Sequence, residues 1–203
     1  MYARANMMKA DPAKIDEGIR HVQDTVLPAV QAVAGNRGMA MAVDRQTGAG
    51  AVVTFWEDLD ALRASEDSVA PMREESSRML GGTLEPHILE VVEQHIRETP
   101  TPGCWNRVTM LEASAEDLDQ TAEVFRTSTI PALDAMEGFC AALLHFDREA
   151  GRGVAVTTWR DRASMEASRE RASGLRQEVA DKSHGTVASV DEQEIVLFSI
   201  TGG

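Results

Sequence analysis

The sequence predicts an α+β protein made of one folding unit written twice. Residues recur at a constant offset of 103 positions: Gly35 as Gly138, Asp44-Arg45 as Asp147-Arg148, Trp56 as Trp159, and Gly82-Thr83 as Gly185-Thr186. No gap is needed between Tyr2 and Thr83. Each copy also alternates strand-length apolar runs with longer stretches of helical spacing. Finally, the 203 residues divide into two units of ordinary domain size. A long period present only twice is a duplicated domain, because solenoid units are shorter and need about three copies.

Each element follows in order. Tyr2 to Lys9 and Trp105 to Glu112 read as first strands. Asp11-Pro12 opens a helix, with Asp as cap and Pro in the first turn; Ser114 with Asp117 three residues on resembles a capping box. Ile15, Ile19, Val22, Val26, Val30 and Val33 lie at helical spacing, matched by Leu118, Ala122, Phe125, Thr129, Leu133 and Met136. Pro28 and Pro131 occupy one register of these helices and are expected to kink them near the last turn. Gly35 and Gly138 end them.

Gly38 to Val43 and Phe139 to Phe146 are nearly all apolar, so strands buried on both faces are expected. The turns at Asp44–Gly48 and Asp147–Gly151 return the chain as Gly50 to Trp56 and Gly153 to Trp159. Asp58 and Asp161 cap a second helix, expected to break at Pro71 and at the matching Gly174. Leu84 to Ile96 and Val187 to Ile200 are β-branched final strands. The order strand, helix, strand, strand, helix, strand is that of a ferredoxin-like βαββαβ unit. The expected domains are 1–96 and 105–203, with the Pro- and Gly-bearing segment 97–104 as linker. Such a unit carries helices on one sheet face only, and the twin is the natural cover for the other. The expectation is an intrachain dimeric α+β barrel.

The formal net charge of −13 argues against a nucleic-acid partner, which needs a basic patch. No apolar stretch has the length of a membrane span, and Met1 leads directly into repeat residues without signal-peptide form. Cys104 and Cys140 have no counterparts in the first copy, so a framework disulfide is not expected and a cytoplasmic location is. His21, His87, His95, His145 and His184 show no metal-ligand spacing, no Gly-rich phosphate loop follows a strand, and no nucleophile elbow is present. No metal, flavin or nicotinamide cofactor is implied.

Leu27-Pro28 with Gly35, the Asp-Arg-x-x-Gly turn, Val-Thr-x-Trp-x-Asp, and the Ala64-Ser65 and Ala167-Ser168 positions resemble a known family. It is the antibiotic-biosynthesis-monooxygenase-like group of dimeric α+β barrel proteins, and the likeness spans nearly the whole chain. The resemblance implies that same fold. It includes cofactor-free quinol and anthrone oxygenases, haem-degrading monooxygenases and polyketide cyclases. Asn6 matches a functional first-strand Asn of the haem-degrading group. The Trp and His which that group carries on its second helix are missing between Leu59 and Leu80, so haem degradation is not the expectation.

The function expected is a cofactor-independent monooxygenase acting on a small aromatic quinol, anthrone or polyketide-like substrate. Two alternatives stand beside it: a non-catalytic binding protein for a hydrophobic small molecule, and a polyketide cyclase or isomerase. The partner is a small hydrophobic or aromatic molecule, and the fused repeats are expected as monomer or homodimer. Positions that differ between copies point to chemistry. His145 replaces Ala42 in an apolar strand; burial would leave it a neutral base, or a core histidine satisfied by a backbone carbonyl. Asn6, opposite Thr109, is either an oxyanion donor or a strand amide bonding a neighbour. These two are the candidate catalytic residues. Trp56, Trp159, Arg4, Arg107 and His21 are candidate substrate contacts. Each also has a structural reading: ring packing for the tryptophans, an ion pair across the sheet for the arginines, and a solvated helix flank for His21.

Overall fold

The computed structural model describes residues 1–200, with Ala115 described in its backbone only. The strands are β1 (Tyr2–Lys9), β2 (Asn36–Val43), β3 (Ala49–Trp56), β4 (Thr83–Ile96), β5 (Trp105–Glu112), β6 (Phe139–Asp147), β7 (Arg152–Trp159) and β8 (Thr186–Ile200). The helices are α1 (Ile15–His21), α2 (Leu27–Gln31), α3 (Leu59–Ala64), α4 (Glu66–Leu80), α5 (Ala115–Val124), α6 (Ile130–Asp134), α7 (Arg162–Ala167) and α8 (Arg169–Lys182). The expected βαββαβ order is present twice, and the hydrogen-bonded strand order β1-β3-β2-β8-β5-β7-β6-β4 closes on itself. This is the α+β fold the repeats predict.

The chain packs as two compact units: residues 1–89 together with the segment from Glu194, and Glu90–Gln193. Six antiparallel ladders each fall within one unit. In the first, β3 pairs antiparallel with β1 and β2, and β2 pairs with the end of β8, from Val43↔Glu194 to Gly38↔Ile200. In the second, β7 pairs with β5 and β6, and β6 pairs with the end of β4, from Phe146↔Glu90 to Ala141↔Ile96. The long strands β4 and β8 thus each serve both units.

Each unit buries one helix-facing layer. In the first, Met8, Met39, Met41 and Val52 of the sheet pack with Ile15, Ile19, Val22, Val26 and Val69 of the helices. In the second, Ala142, Leu144 and Phe146 pack with Leu118, Ala122, Phe125 and Leu133. These are the two stripes seen in the sequence.

Two local features go beyond the sequence expectations. The first helix opens into a π-helical turn just ahead of each proline, at Val22–Val26 and Phe125–Thr129. Pro28 has no N–H for the carbonyl four residues back, and its ring crowds that carbonyl. A wider turn removes the clash, and Leu27 N–H bonds Val22 O across it, as Ile130 N–H does to Phe125 O. The second helix does not break at Pro71 or Gly174; it breaks earlier, at Ser65 and Ser168. Pro71 is exposed near the start of α4, where it forfeits a single bond. Asp58 and Asp161 cap as expected, accepting from Ala61 N at 2.8 Å and Ser164 N at 2.7 Å.

Two glycines give a direct test. Gly48 closes the β2–β3 turn at φ +74°, and a Cβ there would fall on the Ala10 carbonyl oxygen. Gly174 lies inside α8 with nothing near a would-be Cβ. In denaturant titrations, Gly48→Ala is expected to lose more than about 1 kcal/mol, and Gly174→Ala to gain about 0.5–1 kcal/mol.

Candidate functional site

Each unit holds a cavity between its own sheet and helices. The first is lined by Arg4, Asn6, Val52 and Thr54 from the sheet, by Arg73 and Ser76 of α4, and by Val22 and Val26 of the π-helical turn. Met39 and Met72 complete its wall. The second is lined at matching positions by Thr109, Ala155, Thr157, Arg176, Val179, Phe125, Thr129 and Leu175. Their volumes, about 30 Å³ and 40 Å³, suit a water molecule or two. An aromatic ring enters only if the walls yield.

Alternation along β1 sends Arg4, Asn6 and Met8 to the helix side. Asn6 is 7% exposed. Its Nδ2 donates to Val52 O at 3.0 Å, the residue it faces in the ladder, while Oδ1 is buried with no partner. Arg73 Nη2 donates to Glu66 Oε1 at 2.6 Å, and its Nη1 is buried without a partner. Thr109 and Val179 replace Asn6 and Ser76 in the second cavity, which lacks this amide.

Arg4 lies under the junction of α3 and α4. It donates to Ser65 Oγ at 2.9 Å, Leu62 O at 2.8 Å and Glu66 Oε2 at 2.8 Å, and its guanidinium sits 5.8 Å from the Trp56 ring centroid. Burial pulls its pKa down, and Glu66 pulls it back up. Glu66 lies below the usual carboxylate range, chiefly through the hydrogen bond from Arg73 and then the charge of Arg4. Arg107 repeats the arrangement with Ser168 Oγ at 2.9 Å and Met165 O at 2.7 Å, but its carboxylate is Glu192 of β8. Burial and the neighbouring Arg107 charge lower the pKa of Arg176.

The structure places the sequence candidates as follows. Asn6 and Arg4 line the first cavity. Trp56 and Trp159 are fully buried in the two cores; each Nε1 bonds the threonine two residues back, and Trp159 meets Phe139 edge-on at 5.7 Å. Arg107 is 1% exposed and lies outside the lining of the second cavity. The arginines' carboxylates are on α4 for Arg4 and on β8 for Arg107, so the expected pairing across the sheet holds only for the second. His21 is half-buried at the end of α1, with Nε2 buried and unpaired, and it lines neither cavity.

His145 belongs to the second unit, on the face of β6 opposite Leu144 and Phe146 and so away from that unit's helices. Its Nδ1 meets Val154 O at 3.3 Å, and it lines neither cavity. Asn6 and His145 are therefore not brought into one cavity. Cys104 and Cys140 are free and buried, and burial raises the Cys140 thiol to about 11. Arg73 was missed as a site residue. Its recurrence as Arg176 was visible, but nothing in sequence marks one guanidinium nitrogen as buried and unpaired. Among the described residues, no group of three His, Cys, Asp or Glu side chains could hold a metal ion. Among the same residues, no helix is long and apolar enough to cross a membrane.

A duplicated βαββαβ chain with a cavity between sheet and helices defines the class. The chain belongs to the antibiotic biosynthesis monooxygenase family, whose model matches residues 1–80 and 106–174. Two uncharacterized proteins of Mycobacterium tuberculosis are similar over 97% of this chain: one is 34% identical, with 84% of its length covered, and one 32%, with 88% covered. Among solved structures, the chain resembles an anthrone oxidase-like protein: TM-score 0.70, 13% identity, covering 100% of this chain and 94% of that one. It also resembles a haem-degrading enzyme from Listeria monocytogenes: TM-score 0.57, 7% identity, covering 96% and 99%. At these identities the structural likenesses establish the fold alone.

Burial lowers the pKa of His145 to about 4, opposed by the Val154 carbonyl. The folded state therefore holds the ring neutral where the unfolded chain protonates it. Stability is complete above the unfolded value near 6.5 and declines as pH falls through the window down to about 4. Relative to His145→Leu, the wild type is expected to lose up to about 3 kcal/mol across that window. Denaturant titrations of both proteins at several pH values check this; parallel curves would contradict it.

Proposed function

We propose that the protein is a cofactor-independent monooxygenase acting on a small electron-rich aromatic molecule of quinol, anthrone or polyketide-like type, with the first unit's cavity as the reacting site. The observation that carries this is the Asn6 amide oxygen, buried and unpartnered in a residue that lines a cavity walled largely by valines and methionines. An unpaired buried acceptor costs about 1–3 kcal/mol, and a substrate hydroxyl relieves that cost. Family membership supports the reaction class.

The chemistry asks little of the protein. For an anthrone-type CH₂ carbon, loss of one proton gives an anion that passes an electron to O₂. The radical pair combines into a C–O bond, and the protonated hydroperoxide loses water to leave a C=O. One oxygen atom stays in the product and the other departs as water with both substrate hydrogens, so no outside reductant is consumed. Asn6 orients the substrate, while the apolar wall of Val22, Val26, Met39 and Met72 excludes water. The flexible methionines are the parts of that wall best able to make room for a ring. His145 is given no part in this reaction, because it lines neither cavity.

A second reading, a carrier that releases its ligand unchanged, is favoured by one observation: among the described residues, no His, Asp or Glu lines the first cavity. Oxygen-electrode assays with hydroquinones and anthrones, without added cofactor, separate the two. O₂ uptake is expected, Asn6→Ala should reduce kcat/KM about tenfold or more, and Thr109→Ala and His145→Leu should stay within about twofold of wild type. Recovery of every candidate unchanged under air would favour the carrier.

A further inference from the structure

We propose that the first cavity takes its aromatic ligand as a monoanion that keeps one hydroxyl, the oxyanion on Arg73 and the hydroxyl on Asn6. This rests on placing the site in that cavity but not on the oxygenation step. Two buried groups of opposite kind stand unpaired there: Arg73 Nη1, which can only donate, and Asn6 Oδ1, which can only accept. The Val52 carbonyl fixes the Asn6 amide, since a flipped side chain would set two oxygens against each other. A complementary ligand must therefore accept at one point and donate at another.

Charge narrows the choice. Arg4 and Arg73 share the single carboxylate of Glu66, which their contacts hold ionised, so one positive charge is left over beside the cavity. A neutral diol or a water would leave that charge uncompensated, and a dianion would press a second negative oxygen on Asn6 Oδ1. The anion is a phenolate rather than a carboxylate. A carboxylate presents two acceptor oxygens, whereas the one Arg73 nitrogen buried without a partner is Nη1, which suits a single oxyanion. Arg73 also supplies what the missing base would: an opposite charge within about 4–6 Å lowers an acid's pKa by about 1–3 units. The proton is lost to bulk water as the ligand enters, before the walls close on the anion, so no side chain need take it.

The probes are 4-nitrocatechol, whose monoanion keeps a hydroxyl, and 4-nitrophenol, whose anion does not; both anions absorb visible light. Each is titrated with the whole protein across the pH range in which the free probe ionises. Binding is expected to lower the apparent ionisation of 4-nitrocatechol by about one unit. Arg73→Lys should retain most of this shift, Arg73→Gln should abolish it, and Arg176→Gln should leave it intact. Asn6→Leu should keep the shift but weaken 4-nitrocatechol about tenfold, to the affinity of 4-nitrophenol. No binding by wild type, a shift that survives Arg73→Gln, or equal wild-type affinity for the two probes would overturn the proposal. If Arg73→Gln does not fold, the wild-type shift and the preference between probes still decide. O₂ uptake without an ionisation shift would overturn this inference alone; a shift without O₂ uptake on any quinol would overturn the oxygenase reading alone.

Discussion

The arginine of each first strand is the contact on which the rest depends. Arg4 reaches from β1 to the point where α3 gives way to α4, and Arg107 does the same from β5 to the α7–α8 junction. The serine at that junction accepts from the guanidinium and donates back to a carbonyl of the preceding helix, at 2.6 Å for Ser65 and 2.7 Å for Ser168. A buried cation is tolerable only when its donors are used, so the junction cannot drift without stranding charge. That fixes where the longer helix starts and which of its side chains look down on the sheet. Arg73 and Ser76, or Arg176 and Val179, then reach their cavities.

The two units diverge at the carboxylate that completes this contact. In the first it is Glu66, one residue past the junction, where it also holds Arg73. In the second the matching residue is Arg169, and the carboxylate comes from Glu192 of β8, which binds both Arg107 and Arg169. One change of sign at a single register thus moves the negative charge from helix to strand. The scaffold is conserved in both halves while the charge facing the two cavities differs.

Much of the fold was legible because duplication lets the chain check itself. Strand limits, capping aspartates and apolar stripes appear twice, and an accident in one copy does not recur in the other. Local backbone responses were less legible. A proline inside a helix announces a lost bond, but not that the chain widens into a π turn just ahead of it, as it does before Pro28 and Pro131. Of the candidate site, Asn6 stood out by contrast with Thr109, and the same logic raised His145, which lines neither cavity. A difference between copies identifies a changed environment without saying which face of the strand it is on. Arg73 escaped notice for the opposite reason: it is the same in both copies, and its distinction is a single unpaired nitrogen.

The exchange of final strands bears on how such a chain can change over time. β2 is flanked on one side by the end of β8, and β6 by the end of β4. A chain cut at the repeat boundary would keep its own last strand but lose the borrowed one, baring a row of unpaired backbone groups along an apolar edge. A single copy would need a second chain to supply that strand, which the fused pair provides within one polypeptide. Because fusion keeps the strand exchange within one chain, side chains can differ between the halves, as Asn6 and Thr109 do, while the ladder that both need is kept.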